Sequence, residues 1–170
     1  MTFSIHHALT GKYLDQAREL MLSYVKTGVV DLTSQSIEAE IAGLPADYAP
    51  PTGTLFIATD DLGEATGCIA LHKFGLQGDA EIKRLFVKAE YRGRGIGMAL
   101  LNSAIDAARE MGYRRVVLDT LPTMTSAITI YKSLGFGEIA PYWNNVLPVL
   151  YFGKDLDAGV APQADGFSAQ

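Results

Sequence analysis

The sequence predicts an α/β protein: a mixed, mostly antiparallel central sheet of about seven strands with helices on both faces. Three observations carry this expectation. Two apolar runs, Thr54 to Thr59 and Ala65 to Phe74, flank the turn residues Asp60, Asp61 and Gly63, the pattern of an antiparallel hairpin. Amphipathic segments lie both before and after that hairpin, with apolar residues recurring at helical spacing. The β-branched, apolar run Arg115 to Thr120 lies between the later two and marks a buried strand. At 170 residues the chain fits a single domain, predicted over residues 1–156. A flexible tail over 157–170, rich in Ala, Gly, Asp and Gln, would follow it.

The first strand is predicted over Phe3 to Leu9. Thr10 then caps a helix whose apolar stripe is Leu14, Ala17, Met21, Tyr24 and Val25. Ser34 or Ser36 caps a shorter helix with Ile37, Ile41 and Leu44 on one face. Pro45, Pro50 and Pro51 place a surface loop before the hairpin. Gly75 and Gly78 mark a further turn, and a strand from Asp79 to Val87 follows it. The next helix runs from Gly95 to Met111, with Ile96, Leu100, Ser103, Ala104 and Ala107 at helical spacing, and Gly112 stops it. After the Arg115 strand, Thr123 or Thr125 opens a helix that continues through Leu134 and ends at Gly135. Strands over Phe136 to Trp143 and Val146 to Leu156 complete the order βααβββαβαββ.

Composition narrows the function. The chain is 48% hydrophobic and 19% charged, a globular balance, and its net charge of −5 argues against a nucleic-acid footprint. Cys68 is the single cysteine, so neither an intrachain disulfide nor a multi-cysteine metal site is available; its apolar neighbours mark it as a buried small hydrophobe. His6, His7 and His72 lack metal-ligand spacing and are expected in surface or satisfied-core roles, so no metal is implied. No apolar stretch reaches roughly 18 residues and no leader pattern opens the chain. A cytoplasmic protein without a membrane partner is the expectation.

The most specific segment is Arg92-Gly93-Arg94-Gly95-Ile96-Gly97, between a predicted strand and a predicted helix. A helix N-terminus leaves its first N–H groups unpaired and carries roughly half a positive charge. Glycines there remove the side chains that would hold a diphosphate away, and Arg92 and Arg94 add charge and forked hydrogen bonds. Two other nucleotide loops fit less well. A P-loop needs Gly-Lys-Ser/Thr, which is absent. A Gly-x-Gly-x-x-Gly pattern starting at Gly93 or Gly95 would require glycine at Met98 or Leu100, although Asp119 sits where a ribose-binding acid would.

The segment resembles the coenzyme A loop Gln/Arg-x-x-Gly-x-Gly/Ala of the GCN5-related N-acetyltransferase (GNAT) superfamily, through Arg92, Gly95 and Gly97. Downstream, Ala127 to Phe136 resembles that family's Ala-x-x-x-Tyr-x-x-x-Gly-Phe signature through Ala127, Tyr131, Gly135 and Phe136. The chain departs from the family at Met124, where many members place a cofactor-contacting asparagine; Thr123, Thr125 or Ser126 lie beside it. The resemblance implies a sheet splayed between its fourth and fifth strands, with the pantetheine arm of acetyl-coenzyme A paired to the backbone of Leu85, Phe86 and Val87. It implies cofactor binding by Arg92, Gly93, Arg94, Gly95, Ile96, Gly97 and Met98, and an oxyanion donor near Val87.

The implied reaction is acetyl transfer to a primary amine by direct attack on the thioester, most simply an amine of a small molecule. A protein N-terminus or lysine, or coenzyme A binding without turnover, are the alternatives. An alkylamine with a pKa of roughly 10 must lose a proton. Glu81 is the candidate base, directly or through water; its other reading is a sheet carboxylate paired with Lys83, since i and i+2 face alike. Tyr131 matches the family tyrosine that protonates, or hydrogen-bonds to, the coenzyme A sulfur; its other reading is a core aromatic in the stripe Ala127, Ile128, Tyr131 and Leu134. Tyr48 to Thr52 and Tyr142 to Asn145 are candidate acceptor walls, with Asp31 a further amine anchor. A homodimer is common among the proteins the chain resembles.

Overall fold

In a computed structural model, the described residues are 2–27, 34–76, 78–145 and 147–156. The side chains at 34–36, Asp31, and the predicted tail 157–170 lie outside them. In chain order the elements are β1 (Ser4–His7), α1 (Gly11–Lys26), α2 (Ser34–Ala42), β2 (Thr54–Thr59), β3 (Ala65–Phe74) and β4 (Asp79–Val87). A 3-10 turn (Ala89–Tyr91) follows, then α3 (Ile96–Glu110), β5 (Arg115–Thr120), α4 (Thr125–Ser133), β6 (Gly137–Glu138) and β7 (Leu150–Asp155). Among the described residues, no helix is long and apolar enough to cross a membrane.

The strands form one sheet of seven in the order β1-β2-β3-β4-β5-β7-β6. Every pairing is antiparallel except β4 with β5. Because side chains alternate across a strand, β2 sends Phe56 and Ala58 to one face and Leu55 and Ile57 to the other. On the first face lie α3, burying Ile96, Leu100, Leu101, Ala104, Ile105 and Ala108, and α4 with Tyr131. On the second lie α1, burying Leu14, Ala17, Leu20 and Met21, and α2 with Ile37 and Ile41. The helical periodicities in the sequence are therefore the two sheet-facing stripes.

Two features of β4 shape the region around it. Its parallel ladder with β5 holds only Asp79↔Arg115, Ala80↔Val116 and Glu81↔Val117, after which the strands part. Asp79 pins the closed end of this fork, accepting from Arg115 Nη2 at 2.7 Å with Arg114 Nε at 3.5 Å. On the opposite edge of β4, Cys68 pairs with Phe86 but Ala70 pairs with Lys83. Arg84 and Leu85 thus stand opposite the single residue Ile69, a bulge in which Arg84 takes a φ of 59°.

The last two strands are shorter than the sequence predicts. The predicted strand Phe136 to Trp143 contracts to Gly137–Glu138, and Val146 to Leu156 to Leu150–Asp155. Pro141 and Pro148 lack the N–H that a ladder needs and restrict the residues before them. Between them, Tyr142 and Trp143 leave the sheet plane and hydrogen-bond to β4 and β5 instead.

Candidate active site

The glycine loop is open at the start of α3. Gly93 (φ 77°) and Gly95 (φ 83°) are both left-handed, and a Cβ built on either would meet nothing within 4 Å. Gly95 occupies the cap position of α3 with no side-chain hydrogen bond. The first backbone bond of the helix is Ala99 N–H to Gly95 O, at 3.0 Å, so the N–H groups of Ile96, Gly97 and Met98 precede the helical ladder. This open face therefore presents backbone donors that a diphosphate could accept from. Arg92 is held by Nε donating to Val87 O at 3.0 Å, and the Arg94 guanidinium lies 5.5 Å from the Tyr91 ring. Gly97 is close to Val87 and to Ile130 of α4, so the loop, β4 and α4 meet at one point.

Leu85, Phe86 and Val87 lie past the point where β4 and β5 part. One edge of this stretch pairs with β3, through Cys68↔Phe86 and Gly67↔Val87; the other faces the fork. Tyr131 of α4 packs its ring on Phe136 and Phe152. Burial first, then the Tyr24 hydroxyl and the Asp119 carboxylate, push its phenol well above the ordinary range. It therefore stays protonated. Met124 sits at the cap position of α4 without a side-chain cap bond.

Glu81 lies on the opposite face of β4, 3% exposed. Its Oε1 is 2.8 Å from His72 Nε2 and 3.8 Å from Lys83 Nζ; its Oε2 accepts from the Tyr142 hydroxyl at 2.8 Å. Burial pushes its pKa up, but the His72 hydrogen bond, the Lys83 charge and the Tyr142 hydroxyl outweigh burial and hold it below the usual carboxylate range. Asp119 of β5 accepts from Trp143 Nε1 at 2.8 Å. Burial raises its pKa, the Trp143 bond opposes, and the Glu81 charge adds to the rise. Lys83 Nζ lies 5.9 Å from the Trp143 ring, and the Tyr151 hydroxyl donates to Trp143 O at 2.9 Å. Two carboxylates and a cation are thus linked through Tyr142 and Trp143.

Of the candidate acceptor walls, Tyr142 and Trp143 reach these carboxylates, while the Tyr48 hydroxyl turns to Glu40 at 2.8 Å. Glu40 in turn holds Arg84, with Arg84 Nε donating to its Oε2 at 2.7 Å. His6 and His7 are spent on Thr59 and Thr54. His72 and Asp119 are the site neighbours that sequence reasoning set aside. His72 was legible in principle, because it and Glu81 stand equally far from the turn between β3 and β4 and pair across it.

The Acetyltransferase (GNAT) family profile matches residues 14–136. The chain belongs to the GNAT acetyltransferase family. This GNAT chain is 40% identical over 144 residues to an uncharacterised N-acetyltransferase of Schizosaccharomyces pombe, covering 84% of the chain and 88% of that protein. It is 28% identical over 148 residues to the N-acetylaspartate synthetase of Danio rerio, covering 87% of the chain and half of the synthetase. Its fold matches that of a Salmonella typhimurium protein solved with its cofactor acetyl-CoA, with a TM-score of 0.72, 19% identity, and coverage of 96% of this chain and 99% of the other. The GNAT enzyme is thus an acetyltransferase, with the mixed, forked sheet expected of it.

Proposed function

We propose that the protein moves the acetyl group of acetyl-coenzyme A to the primary amine of a small molecule. One observation carries this reading: the fork between β4 and β5 has an open glycine loop and the Tyr131 phenol on one face of the sheet, and the Glu81 and Asp119 carboxylates with Tyr142 and Trp143 on the other. The backbone of Leu85 to Val87 would pair with the pantetheine arm, and Arg92 to Met98 would hold the pyrophosphate. The thioester supplies the activated acetyl group. An acceptor amine meets carboxylates at Glu81 and Asp119 and aromatic faces at Tyr142 and Trp143, which suits a compact cation. Tyr131 donates a proton to the departing sulfur, and the acceptor's proton leaves through the group built around Glu81. The Danio rerio relative is named for making a small acetylated amine, which favours the small-molecule acceptor.

Coenzyme A release from acetyl-coenzyme A, measured against amino acids, polyamines, lysine peptides and peptides with free N-termini, tests the reading. Turnover with small amines is expected. Turnover confined to peptides would overturn the acceptor class, binding without turnover would make the protein a coenzyme A sensor, and no binding would overturn the whole reading.

A further inference from the structure

His72 has an arrangement that a satisfied core histidine does not need. The Glu81 carboxylate, held ionised, can only accept, so the His72 nitrogen 2.8 Å from it, Nε2, is the one that carries the proton. Nδ1, the other ring nitrogen, makes no hydrogen bond to another described residue. The ring is held from a second side by Tyr48, whose ring meets it edge-on at a centroid distance of 5.6 Å. Tyr48 is itself fixed through Glu40 and Arg84. The His72 side chain is 21% exposed where that of Glu81 is 4% exposed. Glu81 already accepts one hydrogen bond on each oxygen and is almost wholly buried, so His72 is the more accessible member of the pair.

We propose that His72, oriented by Glu81, is the group that takes the proton of the acceptor amine, and that Glu81 is a positioning residue. This rests on the acetyl-transfer function. An acceptor ammonium gives one proton to Nδ1 of His72, which passes it to water. The free amine forms a C–N bond to the acetyl carbonyl carbon while the C–S bond breaks and its electron pair leaves on sulfur. The nitrogen sheds its second proton to Nδ1, which again passes it to water, Tyr131 protonates the thiolate and is reprotonated from water, and one proton is released overall. The arrangement is a carboxylate holding an imidazole in one tautomer, with the second nitrogen left for the substrate. Lys83 and Tyr142 are the other ionisable groups on Glu81, and Tyr48 is the one packed on the ring itself.

The experiment has two arms. Nitrogen-15 spectra of the imidazoles at the assay pH are simple, because the chain has three histidines and His72→Gln assigns one of them. A neutral ring protonated at Nε2 is expected, and Glu81→Gln should shift the tautomer balance. A ring protonated at Nδ1, or at both nitrogens, overturns the proposal whether or not any amine turns over. In the second arm, His72→Gln and wild type are compared with acetyl-coenzyme A and the same amino acids and polyamines. A loss in kcat of about 100-fold or more is expected, the range of general base catalysis, with KM for acetyl-coenzyme A unchanged and partial rescue by added imidazole. Wild-type rates in a folded His72→Gln protein overturn the proposal. Absence of wild-type turnover on every amine counts against the acetyl-transfer function, and the spectra then decide the state of His72 by themselves.

Discussion

A phenol that burial keeps protonated is a reserve of one proton, and Tyr131 is such a group, 6% exposed and with its pKa pushed up. Replacing it by phenylalanine keeps the packing on Phe136 and Phe152 and removes only the O–H. Tyr131→Phe is expected to lower kcat by roughly 100-fold while the Kd for acetyl-coenzyme A stays within about twofold, by steady-state kinetics and calorimetry. An unchanged kcat removes Tyr131 from the chemistry. Glu40 makes a different test. Burial raises its pKa, but the Arg84 hydrogen bond and charge and the Tyr48 hydroxyl outweigh it, so its folded pKa lies below its unfolded one. The stability it contributes is complete above the ordinary glutamate pKa of roughly 4.3 and is lost as pH falls through the lowered folded value. Thermal unfolding of wild type should therefore weaken below about pH 4.3, and Glu40→Gln should flatten that fall while costing about 2–3 kcal/mol at neutral pH. At this scale the sequence was partly legible. Tyr131 could be found because its partners, Ala127, Gly135 and Phe136, are near it in the chain. The pairing of Glu81 with His72, Tyr142 and Lys83 was seen only for Lys83, because the other two partners come from another strand and a distant loop.

The loop before α3 is the element whose meaning the sequence carried most fully, since spacing and residue type alone set a glycine turn against a helix start. Gly95→Asp should abolish coenzyme A binding, because its carboxylate would enter the open face beside the first N–H groups, and aspartate tolerates the left-handed backbone better than most residues. Retained binding by calorimetry, in a variant with wild-type thermal unfolding, would remove the loop from the cofactor site. The hairpin β2–β3 and the helices α1, α3 and α4 were legible to within a few residues, because each buries a regular stripe. The segment before β7 was not. Its apolar residues Tyr142 and Trp143 have the composition of a strand, yet their polar tips find carboxylates on β4 and β5, and tertiary hydrogen bonds win over local propensity. The bulge at Arg84 was equally invisible, since one extra residue in a strand leaves no mark on composition.

Across the whole molecule, the two helical layers bury opposite faces of one sheet, and the order of elements sufficed to anticipate that architecture. The fork between β4 and β5 could be expected only through the family resemblance, because strand registers set it and residue types do not. Its closed end is fixed by Asp79 with Arg115 and Arg114, so the two arms diverge from an anchored base. Adding coenzyme A should stabilise the fold by about 2.7 kcal/mol at a hundredfold excess over Kd, read as a rise in Tm of roughly 5–10 °C. No rise at saturating coenzyme A would mean that the ligand pairs with nothing the fold leaves open. The fork makes β4 an edge strand in the middle of a sheet. Edge strands elsewhere are guarded by charge or by bulges, because they recruit other chains. On the proposed function the guard here would be the substrate. Starved of acetyl-coenzyme A, the protein would exchange its amide hydrogens faster, meet proteases more often and persist for less time, so that its abundance would follow the supply of the molecule it consumes.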